Sequence, residues 1–255
     1  QLEQDTFNKD EKMIVLAGGC FWGVEKAFKA LDGVLETTVG YANGFTDNPT
    51  YEEVCRNETG YKEAVKVVYQ PNVVSLSTII RAFFLCIDPR QRNRQGNDIG
   101  SQYQAGIYYV DEKDLDDIKP VYTNERMKYD RFFVELEPLK NFYTAEEYHQ
   151  DYLDKHPNGY CHITAFEMEE VKKLNNQPCQ IKVILPSEKE LTLEVPKNTT
   201  IAELLQEVNT EQRIYAALIN HKHVHFSECV HDQDVVQLQD IRASYGNTCY
   251  QSTLT

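Results

Sequence analysis

A chain of 255 residues is long enough for one large domain or for a medium and a small domain, and its 41% hydrophobic and 26% charged residues are ordinary for a globular protein. Asp and Glu outnumber Lys and Arg by 40 to 26. The resulting net charge of −14 argues against nucleic acid and anionic membranes as partners, because both repel such a surface. No apolar run reaches the roughly 20 residues that a helix needs to span a bilayer.

The 7 cysteines are too widely spaced for a secreted disulfide scaffold, and none forms a CxxC or zinc-finger pair. We therefore expect a reducing compartment and at least one working thiol. The polar residues 1–12 lack the apolar core of a signal peptide, which favours the cytoplasm, and we expect them to form a flexible segment.

Cys20 lies where a predicted strand gives way to a predicted helix. Residues 13–17 form a short apolar run of strand type that ends at Gly18 and Gly19. A helix N-terminus favours an anion, so Cys20 is predicted to ionise readily and to act as a nucleophile. The alternative is a small buried cysteine that packs like other apolar residues. The helix itself is predicted from apolar residues at spacings of three and four: Phe21, Val24, Phe28 and Leu31.

The segment GCFWGVE around Cys20 resembles the signature of the A-type peptide methionine sulfoxide reductases. The resemblance continues in GYANG, in NPTYEEVC and in RQGND-x-G-x-QY. It implies an α/β (α+β) two-layer sandwich with a mixed sheet, in line with the alternation of strands and helices along the chain. The implied activity is reduction of methionine-S-sulfoxide, free or in oxidised proteins and peptides, with no metal or organic cofactor.

Glu63 opens a strand predicted over residues 60–69. The family's motif here reads Gly-His-Ala-Glu, so Tyr61 and Lys62 depart from it while Glu63 stays in register. The resemblance makes Glu63 the proton donor to the sulfoxide oxygen, a role that needs a pKa raised by burial in an apolar pocket. The structural alternative is a solvated glutamate at the end of a strand.

The same resemblance assigns the other site residues. Tyr51 and Tyr103 would hold the sulfoxide oxygen by hydrogen bonds, and Asp98 would line the site. Phe21 and Trp22 would form an apolar pocket for the methyl group. By composition alone, Asp98 is typical of a salt-bridged surface loop and Tyr51 of half-buried packing in a turn-rich loop.

The remaining elements of the first domain follow from periodicity. Strands are predicted over residues 34–41, 105–110 and 131–139, and a helix over residues 73–87. Residues 111–129 form a polar helical segment in which Pro120 marks a break or a kink.

A Gly-Tyr-Cys sequence ending at Cys161, with an EExHQxY stretch before it, completes the resemblance, which covers about residues 13–165. Cys161 matches the cysteine that resolves the oxidised family enzyme. Cys20 would become a sulfenic acid and condense with Cys161 to a disulfide, which thioredoxin or dithiothreitol would reduce. Cys179 or Cys249 could instead be the resolving cysteine. The structural alternative for Cys161 is a buried, inert side chain.

A second, smaller domain is predicted after a linker at residues 166–179. Residues 180–242 show two strands, a helix and further strands, a pattern that resembles the ubiquitin-like β-grasp of TGS and ThiS-like domains. We expect such a small domain to bind an unknown partner, and residues 243–255 to form a loose tail. One strand face would carry three alternating histidines, as a solvated surface or as a metal site: His221, His223 and His225.

Two functions of other classes stay open. A redox-regulated interaction protein would act through the β-grasp domain, with the first domain sensing oxidant. A thiol hydrolase would use Cys20 with a histidine base, for which His149, His156 and His162 are available. The order and spacing of several motifs favour the reductase.

Overall fold

The computed structural model describes residues 11–56, 58–174, 178–197, 199–208, 210 and 212–243. It divides the chain into two compact units, Gln1–Asn175 and Asn176–Thr255. Most of the predicted flexible segment, the tail after residue 243 and Cys249 lie outside the described residues. Within the described residues, no helix has the length and apolar character to cross a bilayer.

A six-stranded mixed sheet forms the centre of the first unit, in the order β7-β6-β1-β3-β2-β8. Strands β6 and β7 are parallel, whereas the other neighbours are antiparallel. Two short strands, β4 and β5, form a separate hairpin. The strands are β1 (Lys12–Ala17), β2 (Val34–Ala42), β3 (Lys62–Tyr69), β4 (Arg94–Gln95), β5 (Asp98–Ile99), β6 (Gly106–Tyr109), β7 (Glu135–Pro138) and β8 (Phe142–Thr144).

Within the described residues, six α-helices accompany this sheet. Helix α1 contacts β2, β3 and α3, and α3 in turn contacts α4 and α6. Helix α4 continues through Pro120, so the predicted break does not divide it. Helix α6 starts where the linker was predicted, and its Val171 is fully buried in the core of this unit. The helices are α1 (Phe21–Lys29), α2 (Tyr51–Cys55), α3 (Leu76–Leu85), α4 (Leu115–Arg126), α5 (Tyr152–Lys155) and α6 (Ala165–Leu174).

Strand β1 is covered on both faces. Ile14 and Leu16 belong to the large core on the helical side, whereas Val15 and Ala17 pack into a small cluster on the other side with Tyr108. Burial on both faces explains why this strand is an unbroken apolar run.

Helix α1 is fixed on the sheet by the apolar residues that the spacing predicts. Phe21, Val24, Phe28 and Leu31 are at most 2% exposed. Burying each such side chain contributes roughly 1.5–3 kcal/mol, so the helix and the turn before it are held firmly. The position of Cys20 is therefore set by the core.

The second unit has a five-stranded sheet in the order β10-β9-β13-β11-β12, with β9 and β13 parallel. Helix α7 begins with a capping box in which the side chains of Thr200 and Glu203 bind each other's backbone N–H groups. Its Ile201 and Leu204 are fully buried in the core of this unit. This arrangement is the predicted β-grasp. Its elements are β9 (Cys179–Ile184), β10 (Glu190–Val195), α7 (Ile201–Glu207), β11 (Ala216–Ile219), β12 (Lys222–Val224) and β13 (Val235–Gln239).

Candidate active site

Cys20 is the residue that precedes helix α1, directly after the turn that ends strand β1. Gly19 makes this turn with φ of +84°, and a Cβ on it would lie 2.6 Å from the Cβ of Gln95, so only glycine fits. The Cys20 thiol is 7% exposed and accepts a hydrogen bond from the backbone N–H of Trp22. The predicted location at the start of a helix is therefore what the structure shows.

The predicted ease of ionisation of Cys20 is wrong. Burial raises the pKa of the Cys20 thiol well above its usual range, and negative charge on Glu63 and Asp98 raises it further. The hydrogen bond from Trp22 lowers the pKa but does not offset these effects. A helix N-terminus stabilises a thiolate only modestly, whereas loss of hydration is a larger cost.

Glu63, the second residue of strand β3, faces the start of helix α1. Its side chain is buried, and its Oε2 accepts a hydrogen bond from the backbone N–H of Phe21 at 3.1 Å. Burial raises the pKa of this carboxyl to about 8, and the charge of Asp98 adds to the rise while the Phe21 bond lowers it. At neutral pH Glu63 is therefore a protonated acid beside the thiol of Cys20.

Tyr51 and Tyr103 bring two phenol groups to the same place. Tyr51 is the first residue of helix α2, and its N–H donates to Glu146 Oε1 at 3.0 Å while its hydroxyl donates to the Cys55 thiol. Tyr103 ends a short 3₁₀ turn. Burial, followed by negative charge on Glu63, raises the pKa of both phenols, so both remain hydrogen-bond donors.

Phe21 and Trp22 form an aromatic wall together with two residues from the EExHQxY stretch. Trp22 stacks on Tyr152 with ring centroids 3.7 Å apart, and its indole N–H donates to His149 Nδ1 at 3.2 Å. His149 also contacts Phe21 and Tyr51, at centroid distances of 5.1 Å and 4.6 Å. The sequence marked His149 only as a candidate base, and its packing role follows from contacts far apart in the chain.

Asp98 lies on the short strand β5 and accepts a hydrogen bond from the Tyr160 hydroxyl at 3.2 Å. The negative charge of Asp98 raises the pKa values of Cys20, Glu63 and Tyr103. The loop that carries the RQGND-x-G-x-QY motif therefore reaches the site. The reading of Asp98 as part of a salt-bridged surface loop does not describe this position.

Cys161 lies against helix α1. Its Sγ is 3.0 Å from the point that a Cβ on Gly23 would occupy, and its thiol donates to the backbone carbonyl of Ile163 at 3.3 Å. Cys20 and Cys161 are both free thiols, and negative charge on Cys161 acts on the pKa of Cys20. The structure therefore brings Cys161 into the neighbourhood of Cys20.

Tyr61 and Lys62, the two departures from the family motif, both leave the acid undisturbed. The Tyr61 ring is buried against Tyr143, and its hydroxyl donates to the carbonyl of Thr46, which holds the loop before helix α2. Lys62 pairs with Glu135 at 3.3 Å. Because successive strand residues point to opposite faces, Lys62 and the buried Glu63 have different environments.

The other candidates belong to the second unit. Cys179 is buried in the core of the second unit. His221 lies in the turn between β11 and β12 with φ of +69°, and only His223 lies on strand β12, so the predicted row of three histidines on one strand face is wrong. In the described part of the chain, no three His, Cys, Asp or Glu side chains are grouped as metal ligands would be.

Comparisons with known proteins agree with this site geometry. The family model described as peptide methionine sulfoxide reductase matches residues 12–180, and that of the ThiS family matches residues 173–238. The peptide methionine sulfoxide reductase of Clostridium acetobutylicum is 58% identical over 153 residues, which are 60% of this chain and 94% of the relative. That of Clostridium perfringens is 53% identical over 60% of this chain and 98% of the relative.

Two solved structures are also similar. Mxr1 of Saccharomyces cerevisiae in reduced form is 38% identical with a TM-score of 0.58, over 61% of this chain and 91% of that one. Methionine sulfoxide reductase A of Corynebacterium diphtheriae is 35% identical with a TM-score of 0.57, over 60% and 79% of the two chains. The chain thus belongs to the peptide methionine sulfoxide reductase family of thiol-dependent oxidoreductases, and a ThiS-family β-grasp domain follows its reductase domain.

Proposed function

We propose that the first domain reduces methionine-S-sulfoxide to methionine by attack of Cys20 on the sulfoxide sulfur, with Glu63 as the acid. The observation that carries this proposal is the buried Glu63 carboxyl, whose pKa of about 8 leaves it protonated at neutral pH. It is anchored to the backbone N–H of Phe21, next to the thiol. A leaving sulfoxide oxygen needs a proton at this point.

The first step balances without an external proton. Glu63 gives its proton to the sulfoxide oxygen while the Cys20 sulfur attacks, and the carboxylate then takes up the proton that the thiol loses. The hydroxyl group passes from the substrate sulfur to the Cys20 sulfur, so that the sulfur–oxygen bond of the substrate and the transient bond between the two sulfurs both break. Methionine leaves, and Cys20 becomes a sulfenic acid. Glu63 ends the step protonated, as it began.

Tyr51 and Tyr103 support this step as neutral donors. The hydroxyl of Tyr103, and that of Tyr51 once it turns from Cys55, would hold the oxygen on which negative charge develops. The rings of Phe21 and Trp22 would enclose the methyl group, and contacts of His149 and Tyr152 keep those two rings in place. An apolar wall opposite a set of donors orients the sulfoxide.

A disulfide between Cys20 and Cys161 would complete oxidation, and thioredoxin, or dithiothreitol in the test tube, would reduce it by thiol–disulfide exchange. The cycle as proposed uses thiols alone and no metal or organic cofactor. A thiol enzyme of this kind works in a reducing compartment, and we place it in the cytoplasm.

A hydrolase mechanism has less support. The hydrogen bond to the Cys20 thiol comes from the backbone of Trp22 and not from a histidine. His149 accepts a bond from the Trp22 indole, which occupies the Nδ1 atom that a base would need free.

The experiment supplies a racemic methionine sulfoxide peptide and dithiothreitol to the full chain, to Cys20→Ser and to Glu63→Gln. We expect loss of the S epimer alone, none with Cys20→Ser, and a rate 100-fold or more lower with Glu63→Gln, the range typical of a lost general acid. Glu25→Gln is the matched control, since Glu25 is a buried carboxyl of helix α1 that binds the N–H of Asp151 instead. No turnover of either epimer by the unmodified chain would refute the proposal.

A further inference from the structure

His162 lies between the segments that carry the two cysteines. Its Nε2 is 3.3 Å from the point that a Cβ on Gly19 would occupy, directly before Cys20. Its Nδ1 is 3.4 Å from the corresponding point on Gly23. The Sγ of Cys161 is 3.0 Å from that same point. One ring nitrogen thus lies beside the residue before Cys20, and the other lies beside Gly23, against which the Sγ of Cys161 also packs.

The imidazole meets the backbone carbonyls of Gly18 and Cys86, but not at normal hydrogen-bond geometry. Both ring nitrogens are inaccessible to solvent, and neither has a partner at normal hydrogen-bond geometry. A buried polar group left in this state costs free energy, and such groups are often found where a proton is transferred. Packing alone would be served better by an apolar side chain.

The surroundings of His162 favour a neutral ring that can accept a proton for a short time. Burial lowers the pKa of His162, so the ring is neutral at neutral pH. The carboxylates of Asp98 and Glu167 and the backbone carbonyls of Gly18 and Cys86 face it and stabilise the charged form. These groups would stabilise an imidazolium without making it the resting state.

The disulfide step needs such a group. Burial raises the pKa of the Cys161 thiol, so Cys161 is protonated at neutral pH, whereas attack on a sulfenic acid requires a thiolate. The hydroxide that leaves Cys20 needs a proton at the same time. Glu63 serves the sulfoxide step, but its hydrogen bond is to the N–H of Phe21, and nothing joins it to Cys161.

We propose that His162 is the proton relay of disulfide formation, taking the proton of the Cys161 thiol at Nδ1 and giving one from Nε2 to the hydroxide that leaves Cys20. The bond between Cys20 and its sulfenic oxygen breaks, the sulfur–sulfur bond forms, and one water is released. The Cys161 sulfur is oxidised and the Cys20 sulfur reduced. The ring ends as the other neutral tautomer. This inference rests on the proposed function and adds a residue to its second half.

The test is a single turnover without reductant. Equal amounts of reduced full-length chain and methionine sulfoxide peptide are mixed, and methionine, remaining free thiols and dimedone-trapped sulfenic acid are followed in time. His162→Gln is compared with the unmodified chain. His225→Gln is the matched control, because His225 is an exposed histidine of the second unit.

We expect His162→Gln to form methionine within twofold of the normal rate, to form the disulfide at least tenfold more slowly and to give more trapped sulfenic acid. In the unmodified chain the disulfide rate should rise with pH through a midpoint below the usual histidine range, and His162→Gln should lose this dependence. Added imidazole should speed disulfide formation in His162→Ala, which separates proton transfer from packing. Fluorescence of Trp22 checks that each variant is folded.

An unchanged disulfide rate in His162→Gln would overturn the proposal. Equal slowing at every pH, with no effect of imidazole on His162→Ala, would show a packing role and would overturn it as well. If the unmodified chain forms no methionine, the proposed function itself fails. If methionine forms and His162→Gln makes the disulfide at the normal rate, the role of His162 is refuted and the proposed function is not.

Discussion

Glu63→Gln should make the first unit more stable above pH 5 while it removes the acid. Folded Glu63 keeps its proton up to about pH 8, whereas the unfolded chain releases it near its ordinary pKa of 4.5. Between these two values unfolding releases one proton, so this residue's contribution to the free energy of unfolding falls as pH rises. Glutamine has the shape of the protonated carboxyl and its Oε1 still accepts from Phe21, but it has no proton to lose.

The size of the effect follows from the two pKa values. Each pH unit in this window lowers the free energy of unfolding of the unmodified protein by about 1.4 kcal/mol relative to the variant. From pH 5 to pH 7.5 the gap between the two proteins should widen by about 3 kcal/mol, and it should stop growing above about pH 8. Glu25, whose pKa burial raises to about 7, titrates in both proteins and cancels in the difference.

Urea unfolding at several pH values measures the gap. The chain has 1 Trp, Trp22, which lies in the first unit, so its fluorescence follows the unfolding of that unit. The comparison uses the full chain and its variant in the same buffers, with the slope of each transition checked for equality. A gap that stays constant between pH 5 and pH 7.5 would show that Glu63 titrates alike in the folded and unfolded states, and the reasoning on its burial would fail.

Three shorter predictions concern the same site. The single-turnover rate of methionine formation should fall about tenfold per pH unit above pH 8, as Glu63 loses its proton; a flat profile to pH 10 would contradict this. Gly19→Ala should lower the free energy of unfolding by about 1–2 kcal/mol, measured in urea, because of its positive φ and the 2.6 Å approach to Gln95; unchanged stability would count against it. Glu146→Gln should lower kcat about tenfold, because this carboxylate holds the N–H of Tyr51 and the hydroxyl of Tyr41, and equal steady-state constants would exclude that role.

Local patterns were enough for the elements that carry the site. The apolar spacing after Cys20 predicts helix α1, and the strand predicted around Glu63 is β3. Tyr51, expected in a loop, instead starts the short helix α2, before which Thr50 and Glu53 form a capping box. The spacing of these two residues, which signals a helix start, is visible in the sequence.

The electrostatics of the site could not be predicted in this way. The pKa of Cys20 depends on burial and on Glu63, Asp98 and Cys161, which are distant in sequence and meet only in the fold. A helix start alone favours the thiolate, so the local pattern gave the opposite direction. The packing of His149 on Phe21 likewise depends on the fold and not on spacing.

The raised pKa values of Cys20 and Glu63 have one origin and one consequence. Both groups are buried, and negative charge on one disfavours negative charge on the other, because such coupling is reciprocal. At neutral pH both groups are therefore neutral acids, and Cys20 is a thiol and not the more easily oxidised thiolate. In the proposed mechanism, the carboxylate becomes the base for the thiol when a sulfoxide oxygen takes the proton of Glu63. The nucleophile is thus produced in the presence of the substrate, and its reactivity depends on the proton that the substrate accepts.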